Sequence, residues 1–152
     1  MKILFNYNWQ VRDEWFEWCD QIPRHLLKKE LGGGARSILY TLFHIVEVEH
    51  SWIRGIQGKE YIVYVYEDYA SLEKVISLSE QLRKENEKWL DASFERQLEK
   101  RINVPWEAET YTENEIIHHI VVHEIHHIGQ LSVWARQLGF TPVPAYVVGR
   151  VL

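Results

Sequence analysis

Apolar residues recur at three- and four-residue steps along the first part of the chain. Leu4, Val11, Trp15, Trp18 and Ile22 form one stripe, with Phe5, Trp9, Phe16 and Cys19 beside it. Together they make the wide apolar face of a bundle helix that touches two neighbours, over about residues 2–22, and Pro23 stops it. Residues 23–36 read as a connection ending in Gly32-Gly33-Gly34. That triple glycine is a turn and not a phosphate loop, because no Gly-x-x-x-x-Gly-Lys pattern and no strand accompany it. A second helix is predicted from an N-cap at Ser37 to about Arg54, with Gly55 as its stop. Residues 56–70 hold Tyr61, Tyr64, Tyr66 and Tyr69 and read as an extended loop packed on the bundle. A third helix runs from near Ser71 to about Ala92, with Leu72, Val75, Ile76, Leu82, Trp89 and Leu90 in helical period. Ile102 and Val104 alternate with polar residues, so a short hairpin is expected between about 101 and 111. Thr112 and Glu115 form a capping box for a fourth helix, which continues to Leu138 with Gly139 at its end. The apolar tail, residues 140–152, must pack on its own chain or on a partner. The pattern predicts an all-α, single-domain four-helix bundle over residues 1–152.

Composition adds limits. The chain has 152 residues, 46% hydrophobic, enough for a substantial core, and a formal net charge of −5. No basic footprint for nucleic acid is present. No apolar run approaches the ~20 residues of a membrane span, and the N-terminus lacks a cleavable leader, so a cytoplasmic protein is expected. The single cysteine, Cys19, excludes an internal disulfide and reads as a small core residue. Seven Trp and eight Tyr exceed what such a core requires and suggest an apolar pocket or a subunit interface.

The histidines change the picture. His118, His119, His123, His126 and His127 crowd the last helix. At about 100° per residue, His127 lies roughly 40° from His123, and both fall inside the apolar stripe with Ile116, Ile120 and Trp134. His118 points to the opposite face and His126 to the edge of the stripe. Buried imidazoles need partners, and two at i and i+4 can converge on one ion. The third ligand must come from another helix. His44 is the best candidate, because its face also carries Ser37, Tyr40, Thr41 and Ser51, half polar as a pocket lining would be. His50 and His25 read as solvated. Three imidazoles suit zinc, nickel, copper or iron.

His123-Glu124-Ile125-His126-His127 also matches the His-Glu-x-x-His helix of zinc peptidases. That reading ranks behind the others, because no His, Asp or Glu follows residue 127 to complete the site. Glu124 reads either as surface charge or as a base acting on a metal-bound water.

The segment from Ser37 to His44, followed by Glu49 and Trp52, and the last-helix run His119-x-x-x-His123-x-x-x-His127 with Gly129-Gln130 resemble the DinB/YfiT-like family of metal-binding four-helix bundles. The resemblance covers most of the chain and maps the family's three metal ligands onto His44, His123 and His127. It implies a divalent metal, zinc or nickel, and a homodimer. It further implies, for some relatives, transfer of a low-molecular-weight thiol such as bacillithiol to an electrophile. Three functions follow as expectations: a metal-dependent transferase or hydrolase with an open ligand position, a non-enzymatic dimeric metal-binding or stress module, and, least favoured, a zinc metallopeptidase. A metal-free hydrogen-bonded histidine core is the remaining possibility.

Overall fold

The first stripe folds as α1 (Lys2–Asp20), burying Phe5, Trp9, Val11, Trp15, Phe16 and Cys19. The computed structural model describes residues 2–92 and 98–152. Asn8 and Arg12 are buried on the same helix, which the apolar pattern did not anticipate. Within the predicted connection lies one short helix, α2 (Arg24–Leu27), anchored by the buried Leu27.

α3 (Ile38–Ile56) starts as expected, with the Ser37 side chain accepting the Tyr40 N–H at 3.2 Å. Its end differs from the prediction, since Gly55 lies inside the helix and Gly58, at φ +66°, follows its C-cap Gln57. Gly55 serves a different purpose. A Cβ there would stand 2.6 Å from Val104 Cγ1, so glycine is what lets the hairpin seat against α3. The tyrosine-rich segment then runs without regular structure to a 3-10 turn, Tyr66–Tyr69. Tyr66 and Tyr69 pack on Phe43 at ring distances of 5.4 and 5.7 Å, so the segment covers α3 as predicted.

α4 (Leu72–Ala92) buries Leu72, Val75, Leu78, Leu82 and Leu90. The predicted hairpin is present as β1 (Arg101–Asn103) and β2 (Thr110–Thr112), antiparallel, with Ile102 opposite Tyr111. β2 runs directly into α5 (Glu113–Gln137), whose capping box forms in both directions: Thr112 Oγ1 accepts the Glu115 N–H, and Glu115 Oε2 accepts the Thr112 N–H. Gly139 follows the C-cap Leu138 at φ +87°. Part of the tail packs within its own chain, while Tyr146, Val148 and Val151 stay exposed. Val143 is buried, Trp18 donates to the Thr141 carbonyl, and Arg150 forms an ion pair with Glu14.

Four long helices, α1, α3, α4 and α5, thus make the bundle. Its apolar interior is divided in two. One part holds Val11, Trp15, Leu42, Val75, Leu131 and Trp134, and the other Phe5, Ile53, Leu90, Ile116 and Ile120. Between the two parts, buried polar side chains from all four long helices meet in one hydrogen-bonded layer: Arg12, Glu49, Asn86 and Glu124. Arg12 donates from Nε and Nη2 to the two oxygens of Glu124 at 2.8 and 2.6 Å, and from Nη2 to Glu49 at 2.7 Å. Trp9 Nε1 and Asn86 Nδ2 complete the shell of Glu49 at 3.0 and 2.8 Å. Two carboxylates share one guanidinium, so Arg12 is held firmly charged, while burial raises the Glu124 carboxyl and Arg12 opposes that rise.

Candidate metal centre

His44 on α3 and His123 and His127 on α5 meet at the level of this polar layer. His123 and His127 are one turn apart, so their rings leave the helix on one face. His123 Nε2 lies 3.1 Å from His44 Nε2 and 3.1 Å from His127 Nε2. All three ligand atoms fall within 4.8 Å of one another.

The outer nitrogens are anchored. His44 Nδ1–H donates to Glu47 Oε1 at 3.1 Å, and His127 Nδ1–H donates to Gln130 Oε1 at 2.8 Å. Gln130 is itself oriented, since its amide nitrogen donates to His126 Nε2 at 3.0 Å. With their ring protons committed to Nδ1, neutral His44 and His127 present bare Nε2 lone pairs to the common centre. A proton on His123 Nε2 could serve only one of them. This arrangement asks for a cation. Tetrahedral coordination with metal–nitrogen bonds of ~2.0–2.1 Å separates neighbouring nitrogens by roughly 3.3–3.4 Å, close to the 3.1 Å spacings here. An anchored Nδ1–H is also the usual support of a metal-bound imidazole. The donor set therefore fits one divalent ion.

The local field favours neutral rings. His123 is pushed down to about 3, first by burial and then by the neighbouring His127 and His44. Burial also lowers His127, opposed by the hydrogen bond that its Nδ1–H donates to Gln130. Neutral imidazole is the form that binds metal. His127 is buried, whereas the His44 side chain keeps 28% exposure, so the centre has a solvent-reachable edge. The Tyr40 ring lies nearly parallel to His44, at 8° and 6.2 Å.

The three histidines named from the sequence are thus brought together, His118 and His25 are exposed as expected, and His126, placed at the edge of the stripe, is exposed as well. Two expectations fail. His50 is not solvated: it is 1% exposed, with Nδ1 at 3.0 Å from the Tyr64 hydroxyl and Nε2 at 3.2 Å from Glu85. The tyrosine segment closes over it, an event invisible to a helical wheel of α3 alone. Glu124 is not surface charge, because both its oxygens are committed to Arg12. The sequence reading did not name Glu47 or Arg12, and it named Gln130 in the motif without its hydrogen bond to His127. Glu47 and Gln130 each lie three residues beyond a ligand candidate, the same-face spacing that could have revealed them. Arg12 interrupts the apolar face of α1 between Trp9 and Trp15.

A four-helix bundle whose second and last helices share a three-imidazole cluster defines a recognisable class. The profile of the DinB family matches residues 1–151, and the chain belongs to that family. Across its whole length it is 53% identical to the uncharacterized protein YizA of Bacillus subtilis, covering 96% of that protein. It is 22% identical to the protein DinB of the same organism, over 93% of this chain and 87% of that one. Among solved structures, a DinB-like protein of Bacillus cereus superposes with a TM-score of 0.68 at 19% identity, covering 92% of this chain and 91% of that chain. A second, from Bacillus subtilis, gives 0.65 at 20% identity, with 95% and 96% covered. These two share the fold. Among the described residues, no helix is long and apolar enough to cross a membrane.

Proposed function

We propose that His44, His123 and His127 hold one divalent metal ion, zinc or nickel, and that the protein is a metal-dependent enzyme acting on a small molecule. The reaction class favoured is S-transfer from a low-molecular-weight thiol of the bacillithiol type, with hydrolysis as its neighbour. The observation that carries the reading is the convergence of three Nε2 atoms while Glu47 and Gln130 hold two of the outer nitrogens. A divalent ion at such a centre lowers the pKa of a thiol or water at its open position and so supplies a nucleophile at neutral pH. The chain's own residues do the rest. Glu47 and Gln130 fix ring orientation, Tyr40 lies over one face of His44, and the 28% exposure of the His44 side chain leaves the centre within reach of a small molecule.

A non-enzymatic metal module is the second reading, supported by the way the cluster bridges α3 and α5. The peptidase reading loses its general base, since Glu124 is turned into the bundle and paired with Arg12. The exposed apolar residues Tyr146, Val148 and Val151 of the tail supply a surface for the homodimer implied by the resemblance.

Elemental analysis of the purified protein beside His44→Ala and His123→Ala tests the centre. About one metal per chain in the parent, lost in both variants, is the expected result. A parent that stays metal-free after incubation with zinc or nickel would overturn the proposal. Thiol-dependent conjugation of model electrophiles by the loaded protein, absent from both variants, separates the enzyme from the module.

A further inference from the structure

The hairpin, the C-terminal half of α3 and the first turns of α5 border a half-open cavity of about 260 Å³ that the histidine cluster does not use. It is lined by Trp52, Glu107, Tyr111, Glu115, Ile116 and His119. This is slightly below the usual range for drug-sized ligands and suits a smaller one.

Its walls are aromatic. Trp52 stands edge-on to Tyr111 at 6.1 Å, to His119 at 5.4 Å and to Trp106 at 5.3 Å. Such rings present electron-rich faces that attract cations. Both carboxylates of the lining reinforce that sign. Glu115 commits Oε2 to the helix cap, which leaves Oε1 outside the capping box. The nearby Arg101 guanidinium bonds the hydroxyl and carbonyl of Thr110 and offsets part of the Glu115 charge, which leaves Glu107 as the principal carboxylate of the lining. The Tyr111 phenol, hydrogen-bonded to Glu107, is pushed up first by desolvation and then by the charges of Glu107 and Glu109.

A second metal ion does not fit this lining. Among the described residues, the group whose ligand atoms converge is His44, His123 and His127, while Glu107, Glu115 and His119 are spread apart. Separated carboxylates around an aromatic floor complement a charge carried on an organic body. The cavity also borders the histidine centre, because His119 forms part of its wall and its ring lies 5.6 Å from that of His123, tilted by 41°.

We propose that this cavity is a binding subsite for a small organic cation with a flat face, an amidinium, guanidinium or aryl-ammonium compound, held beside the His44–His123–His127 centre. Its role as a substrate subsite rests on the metal reading given above; its capacity to bind the cation does not.

Calorimetric titration with benzamidinium, benzamide and benzoate, three probes of one shape and different charge, tests the subsite. The full chain is titrated after loading with zinc, alongside Glu107→Gln and His123→Ala. Benzamidinium is expected to bind at least about tenfold more tightly than either control, and Glu107→Gln to weaken it about tenfold while metal content stays unchanged. His123→Ala is expected to lose the metal and keep the cation. Equal affinity for the three probes, a preference for benzoate, or indifference to Glu107→Gln would overturn the subsite. A parent chain that discriminates the probes yet takes up no metal would sink the metal reading and leave the subsite standing.

Discussion

Two rings of the histidine centre, His44 and His127, are each held by a residue that never touches the shared point, Glu47 and Gln130. Gln130 fixes His127 and is in turn fixed through His126, so one amide organises two imidazoles. Removing such a support commonly costs about 10–100-fold in metal affinity. Gln130→Ala is expected to fall in that range by chelator competition while keeping its helical circular dichroism; unchanged affinity would mean that Gln130 does not hold the ring. Protonation tests the same rings. In the metal-free chain, folded His123 sits near 3 and His127 and His50 are also lowered, against ~6.5 for an unfolded histidine. Below ~6.5 the unfolded chain binds protons that the folded chain refuses, so stability is full above that pH and is lost as pH falls toward 3. Denaturation midpoints in chelator, taken from about pH 8 to about pH 5, should decline through this window, and His123→Ala should flatten the slope. A midpoint that rises on acidification would contradict the assignment. The three ligand candidates were legible because a helical wheel needs only the sequence of one element. His50 was not, since its partners Tyr64 and Glu85 arrive from two other segments.

Among the elements, those announced by local chemistry matched. The capping box of α5, the Ser37 cap of α3 and the short hairpin all form where side-chain pattern placed them. Gly55 misled because its purpose is tertiary: it opens space for Val104 and does not end a helix. Gly55→Ala should therefore destabilise the protein by about 1–3 kcal/mol, although alanine is the better helix former by about 1 kcal/mol. Thermal unfolding of Gly55→Ala alone and combined with Val104→Ala checks this. The two changes should be less damaging together than their sum, and simple additivity would rule out the contact as the cause. α2 went unseen because a single turn carries too few apolar positions to show a period.

In the whole molecule, a charged layer cuts the interior into two apolar halves. No single helix reveals it, since Arg12, Glu49, Asn86 and Glu124 come from four different helices and each reads alone as an exception. Arg12 is the keystone, and Arg12→Met would leave Glu49 and Glu124 buried side by side without a cation. A loss of about 3–5 kcal/mol by urea denaturation is expected. A loss under about 1 kcal/mol would show that water or protonation relieves the carboxylates.

The histidine cluster lies at the same level, and it joins positions far apart in the chain: His44 and His123 are separated by 79 residues. An ion shared between them would act as a removable staple, closing a loop of more than half the polypeptide. On the chain-entropy account, a cross-link of that span disfavours the unfolded ensemble by about 4 kcal/mol. His123 and His127, one turn apart on a single helix, could retain the ion before His44 arrives, so assembly would have a built-in order. The last helix would capture the ion first, and the second would close the ring around it.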